Sequence, residues 1–375
     1  MVRGNLRLRV VTSSDSPVPG KESPSHLQDR EVRLLERMLQ IYSPSRQEAQ
    51  VSAFLVEEMK SLGFQAYQDA VKNAIGILGS GEKTVILLGH IDTVTGQIPV
   101  ETRDGKLYGR GAVDAKGPMA TFICAAHRLM GERNSLGKRI VVIGAVEEEA
   151  ATSRGAQQAV IDFRPPDFCI IGEPSSWSAV TLGYKGRLLL DYRLEIPLKH
   201  SAAPGKLVCE QAIDFWNEVK VWCDKFNHGQ STFETIDPSM RSFNSEHNGI
   251  TEVAHLIMGF RLPVGFGADD FKDLLLHTAG TAQLAFSGGE AAVRADKSNG
   301  LVKAFLRAIR ENQGQPRFKL KTGTADMNVV APFWKCPMVA YGPGDSSLDH
   351  TPEEHIEITE YTRAINVLES VLRYV

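Results

Sequence analysis

Cysteine is scarce: Cys124, Cys169, Cys209, Cys223 and Cys336 are the only five in 375 residues, and none pairs as CxxC or CxxxC. An odd, scattered set excludes a disulfide framework and a CxxC metal or redox motif, and reads as reduced, buried small hydrophobes. Charge of one sign is lacking too. A formal net charge of −3 and a pI of about 6.4 exclude both a basic surplus for nucleic acid and an acidic solvating tail. No apolar run approaches the roughly 20 residues a membrane-spanning helix needs. The opening MVRGNLRLRVVTSSDSPVPG contains no signal-peptide core. A cytoplasmic location, with no membrane and no nucleic-acid partner, is the default expectation. Repeats and low-complexity tracts are absent as well, which excludes a solenoid.

What is present is enough apolar material, 42% of residues, for two cores and a cleft between them. Residues 1–26, rich in Ser, Pro and Gly toward their end, read as a loose extension. Two amphipathic helices follow, carried by Val32, Leu35, Met38 and Leu39 and then by Val51, Phe54, Leu55, Met59 and Leu62, with Gly63 as a C′ stop. The short strands AIGIL, TVILLGHID, RIVVIGAV and FCIIGE alternate with helices. That alternation predicts a three-layer α/β/α domain with a mostly parallel sheet over 27–183 and 291–375. Between them, over 184–290, longer alternating strands such as GRLLLDYRLEI and AHLIMGFRLPV predict an inserted α+β domain with an antiparallel sheet.

Five segments carry groups able to bind metal, four of them just after strands, where open α/β sheets bind ligands. In LLGHIDTV, His90 and Asp92 share one face of an extended segment, so the carboxylate can orient the imidazole. A surface HxD is the plain alternative. Asp114 in GRGAVDAKG lies on a Gly-rich turn opening a helix, where an ordinary N-cap aspartate is equally natural. Glu147, Glu148 and Glu149 in GAVEEEAA crowd like charges after an apolar strand, an arrangement that cations would relieve. A solvated acidic loop is the other reading. Glu173 follows the buried strand FCII, where a charge is usually the exit into solvent. His350 follows a Gly-Pro-Gly turn on an irregular loop that can reach back to a site built earlier.

In this order, HxD, GRGxxDxKG, EEE, GEP and GPG…H, the segments resemble the dinuclear zinc aminoacylase and carboxypeptidase family that includes acetylornithine deacetylase and succinyl-diaminopimelate desuccinylase. The resemblance runs from about Asp29 to the end. It implies two divalent ions, zinc first and cobalt second, one held by His90, Asp114 and Glu173 and the other by Asp114, Glu149 and His350. Asp114 is then the bridge, Asp92 the partner of His90, and Glu148 the general base. The residues after the glutamates depart from the family's spacing by one, so Glu147 and Glu148 are the alternative register. The inserted domain resembles the family's ferredoxin-like lid and dimerisation domain. KHSAAP and GFRLP there mark His200, which would polarise the scissile carbonyl, and Arg261, which would grip a carboxylate.

Within that family GYKGR, KTGTADMNVV and DHTPEEHIEI look most like the hydrolase that releases lysine or ornithine from the C-terminal glutamate of an acidic, LysW-like amino-group carrier protein. Asp326 in TADMN is then a candidate partner for the amino acid's cationic side chain, by charge complementarity. An N-acetylornithine deacetylase or related N-acyl amino acid deacylase shares all the metal chemistry and is the rival reading. A non-catalytic carrier-binding protein is the rival from another class. A dinucleotide site is set aside, because no GxGxxG follows a strand.

Overall fold

The computed structural model describes residues 24–375. The expected loose extension therefore lies outside it except for residues 24–26, which already belong to helix α1, Pro24–Gln40. Helix α2, Ala49–Ser61, ends as its sequence predicts. Gly63 adopts a φ of +89°, its N–H bonds the Lys60 carbonyl, and the Phe64 N–H bonds that of Met59. These are the two bonds of a Schellman closure.

The chain continues through β1 Gln65–Gln68, β2 Ala74–Leu78, β3 Lys83–His90, β4 Glu101–Arg103, β5 Lys106–Tyr108, α3 Lys116–Arg128 and β6 Lys138–Ala145. Helix α4, Arg154–Asp162, leads to β7 Phe168–Gly172 and β8 Ala179–Tyr184. A second body then comprises β9 Gly186–Pro197, α5 Val208–Asn227, β10 Asp237–His247, β11 Thr251–Leu262, α6 Ala268–Thr278 and β12 Gln283–Glu290. The return runs through β13 Val293–Arg294, α7 Gly300–Glu311, β14 Arg317–Lys321, α8 Asp326–Trp334, β15 Met338–Ala340, β16 His355–Glu357 and α9 Ile358–Tyr374.

The large sheet has the order β1-β2-β6-β3-β7-β15-β8-β13, with β14 beside β8. Its centre is parallel as expected, β3 lying between β6 and β7 and β7 beside β15. The sheet as a whole is mixed, because β1, β2 and β13 add antiparallel pairings. For β1 and β2 the reason is the connection: residues 69–73 are too few for a crossover and can only return antiparallel. Central strands are apolar along their length because helices cover both faces. Val85 and Leu87 enter the core shared with α1, α2, α3, α7 and α9, while Ile86 and Leu88 enter the one shared with α4 and α8. The three layers follow from that alternation. A side sheet of β4, β5 and β16 ties the end of the chain to the loop before α3.

The second body is an antiparallel sheet of order β10-β11-β9-β12, with the β-α-β-β-α-β connection of a ferredoxin-like fold. Leu188, Leu190, Tyr192, Leu256, Met258 and Phe260 pack with Phe215 of α5 and Phe271 of α6. The alternate residues, including Arg187 and Arg261, therefore point to the opposite face. Two crossings, at Lys185 and Ala291, join the bodies. Asn328 at the start of α8 donates from Nδ2 to both of their carbonyls, at 3.0 and 2.8 Å. The buried Lys185 ammonium in turn reaches the Thr235 carbonyl and hydroxyl at 2.7 and 2.8 Å and pairs with Asp237.

Candidate metal centre

Strands β6, β3 and β7 are parallel neighbours that end at one level, His90 standing opposite Ala145 and Gly89 opposite Gly172. Whatever follows them is delivered to one place. His90 closes β3, Glu148 and Glu149 follow the end of β6, and Glu173 follows β7 directly. Asp114 enters from the loop before α3. The N-cap of that helix is Ala115, so Asp114 is not capping it.

The two carboxylate oxygens of Asp114 face different histidines: Oδ1 lies 3.1 Å from His90 Nε2 and Oδ2 lies 3.0 Å from His350 Nε2. His350 Nε2 is also 2.9 Å from Glu149 Oε1, and His90 Nε2 is 3.8 Å from Glu173 Oε1. Donor atoms of His90, Glu148 and Glu173 lie within 4.8 Å of one another, as do those of His90, Asp114 and Glu149. All five expected ligands and the expected base thus converge. Glu173, far from leaving into solvent, is only 8% exposed.

Burial raises the carboxyl of Glu148 well above its usual range, and Glu173, Asp326 and Glu149 add repulsion against the attraction of His90. Burial also lifts Glu173 to about 7, with Lys321 opposing and Asp114 repelling. His350 is raised to about 10 by its bonds to Asp114 and Glu149. In Asp114, burial works upward, but the hydrogen bonds from His350 and His90 outweigh it and hold the carboxyl far below normal. Carboxylates packed this closely around two imidazoles form a donor set of oxygens and nitrogens suited to zinc-type divalent cations, whose charge would relieve the repulsion.

Glu147 turns away from this cluster. With a φ of +60° it accepts from the Thr152 hydroxyl at 2.7 Å and lies 3.9 and 3.6 Å from Arg46 and Arg154. Only Glu148 and Glu149 face the histidines. The role of Asp92 is broader than its HxD spacing suggests. His90 Nδ1 sits 3.0 Å from the Asp92 carbonyl and 3.5 Å from Oδ1. The Asp92 carboxylate also accepts from the Ser45 hydroxyl at 2.7 Å and from the backbone N–H groups of the glutamate pair.

The cluster lies at the base of a cleft of about 600 Å³, whose opposite wall brings Arg187, Arg241 and Arg261 from the second body. Two expected residues are placed elsewhere. Asp326 is 2% exposed and is not among the residues that line the cleft, so the cleft wall offers a substrate cation no contact with it. His200 is exposed on the loop after β9, its Nδ1 accepting from Ala202 N–H, and does not line the cleft.

Sequence reasoning missed Glu354. Its Oε1 accepts the N–H groups of Val113 and Asp114 at 2.9 and 3.1 Å, and its Oε2 forms a buried pair with Arg110 at 2.8 Å. Within DHTPEEHIEI nothing distinguishes it from a solvated acid. Lys321, 3.7 Å from Glu173, was missed for the same reason.

The family comparison points to a hydrolase. Residues 86–374 match peptidase family M20/M25/M40, and the chain belongs to that family. It is 45% identical to the [LysW]-lysine hydrolase of Deinococcus radiodurans over 90% of this chain and 95% of that protein. To the [LysW]-lysine/[LysW]-ornithine hydrolase of Saccharolobus solfataricus it is 29% identical, over 89% and 94%. Among solved structures, the M20 metallo-carboxypeptidase Sso-CP2 of Sulfolobus solfataricus shares the fold with a TM-score of 0.75 at 19% identity, over 92% of this chain and 99% of that one.

Proposed function

We propose that this chain is a metal-dependent amide hydrolase that releases lysine from the C-terminal glutamate of a LysW-type amino-group carrier protein. The observation that carries this reading is the 45% identity across nearly the whole of a [LysW]-lysine hydrolase, joined to a complete set of converging donors. Ornithine is a second amino acid of the same shape and charge.

His90, Asp114 and Glu173 would hold one divalent ion and Asp114, Glu149 and His350 the other, zinc being preferred and cobalt the alternative. Such ions supply the charge that acidifies a water and polarises an amide carbonyl. The chain's own groups do the rest. Glu148, uncommitted to either histidine, takes the proton of the attacking water and delivers it to the departing α-amine. Asp92 fixes the backbone of that base and the ring of His90. Arg261 presents a planar fork to a substrate carboxylate. His200 would reach the scissile carbonyl across a dimer formed through the second body.

The test compares kcat/KM on carrier-borne lysine and on N-acetylornithine, with metal content measured on the same sample. Preference for the carrier and two ions per chain are expected. Preference for N-acetylornithine would assign the deacylase, and a chain that binds no metal and cleaves neither would be a carrier-binding protein.

A further inference from the structure

Of the three guanidiniums in the cleft, the roles above use only Arg261, and one of the other two has no partner among the described residues. Arg261 donates to Thr324 Oγ1 at 3.1 Å, and Arg187 is held by Glu290 through bonds of 3.1 and 2.8 Å. Arg241 lines the same cleft and has no hydrogen bond or ion pair among the described residues.

Two backbone features place it there. The pairing of β10 with β11 passes from Met240 opposite Met258 to Ser242 opposite Ile257, so Arg241 is the extra residue of a bulge. Bulges break strict alternation and re-aim a side chain. Gly259 on β11 lies under the arginine stem: a Cβ there would stand 3.4 Å from Arg241 Cδ and 3.1 Å from Ser239 Oγ. The missing side chain leaves the lane that the stem occupies. Three guanidiniums are thereby crowded together, and Arg261 is lowered from its ordinary value by burial first and then by Arg187 and Arg241. Glu290 neutralises Arg187, which leaves two cations facing the cleft without a carboxylate.

The substrate proposed above has two carboxylates, one on each side of the scissile amide. On the acyl side is the free α-carboxylate of the carrier's terminal glutamate, and on the amine side is that of the lysine. A small N-acyl amino acid such as N-acetylornithine offers only the second. We infer that Arg241 binds the α-carboxylate of the carrier's terminal glutamate and so selects carrier-borne substrates over small N-acyl amino acids, while Arg261 serves the amino acid to be released. This inference rests on the carrier-lysine reading and adds to it a specificity residue outside the metal centre.

The experiment uses two short peptides ending in a glutamate whose side chain bears lysine through its α-amine, one with a free C-terminal carboxylate and one with a C-terminal carboxamide. Wild type is expected to favour the carboxylate by about tenfold to a hundredfold in kcat/KM, the worth of one charge-assisted hydrogen-bonded contact. R241A is expected to lose that preference, and R241K to keep part of it, because a lysine retains the charge without the fork. G259V, which crowds the arginine stem and leaves its charge, should move in the same direction as R241A. An unchanged preference in R241A, or none in wild type, overturns the inference and leaves the hydrolase intact. If wild type cleaves neither peptide nor carrier-borne lysine, the functional reading falls and takes the inference with it.

Discussion

The Asp92 carboxylate accepts the backbone N–H of Glu148 on Oδ1, at 3.0 Å, while its Oδ2 accepts that of Glu149 at the same distance. One buried side chain thus sets the position of both the proposed base and a proposed ligand. Asp92→Ala should lower activity or metal affinity by roughly tenfold to a hundredfold, the usual effect of removing a group that orients metal ligands. Asp92→Asn should be no better than partial, since its amide N–H would face a backbone N–H. Metal titration alongside steady-state kinetics checks this, and wild-type behaviour of Asp92→Ala would contradict it.

Glu148 and Glu147 give opposite expectations although they are adjacent. Glu148→Ala should keep its metal and lose roughly a hundredfold to ten-thousandfold in kcat, the range for a general base. Glu147 faces Thr152, Arg46 and Arg154 instead, so Glu147→Ala should stay within a few-fold of wild type. Kinetics and elemental analysis of the two variants decide the register, and a reversal of the two results would shift every role by one residue.

Glu354 and Arg110 form a buried pair, with side chains 1% and 9% exposed. Glu354→Ala leaves the guanidinium buried without its partner and frees the N–H groups of Val113 and Asp114. Breaking a buried pair from one side costs about 3–5 kcal/mol, and denaturant unfolding of Glu354→Ala should show a loss of that order. A loss under about 1 kcal/mol would mean that water replaces the carboxylate at little cost.

Metal-stripped protein should become less stable as pH rises through neutrality. Glu173 is raised to about 7 and Asp326 to about 8, burial being the first cause of each. A carboxyl raised in the folded state contributes stability that is complete below its unfolded value, near 4.5 for Glu173, and is lost as pH climbs through the folded value. Raised His350 acts in the same direction. Urea unfolding of chelator-treated protein at mildly acid and mildly alkaline pH should therefore show the lower midpoint on the alkaline side. Added zinc should reverse the order, because the ions favour the charged carboxylates. Equal midpoints without metal would refute this account.

The layered fold was legible because central strands such as TVILLGHID have no polar alternation and must be covered on both faces. The antiparallel sheet of the second body was legible for the converse reason, as GRLLLDYRLEI alternates, while its ferredoxin-like connection came from the family resemblance. The antiparallel pairings were less legible, and for β1 and β2 only the length of their link carried the signal. The candidate ligands at strand ends could be found because their neighbours fix their position. Glu354, Lys321 and Arg241 could not, since their roles depend on partners far away in the chain and, for Arg241, on a bulge that leaves no mark in composition. The burial of Asp326 was not legible either, since a charge that opens a short helix carries no mark of what will cover it.

Asn328 holds the carbonyls of Lys185 and Ala291 with a single amide group. Both tethers of the second body are thereby gathered onto one short line, like two straps through one buckle. A turn of that body about this line would carry the three arginines toward or away from the cluster of carboxylates and imidazoles. The spacing between guanidiniums and carboxylates across the cleft thus depends in part on a single amide.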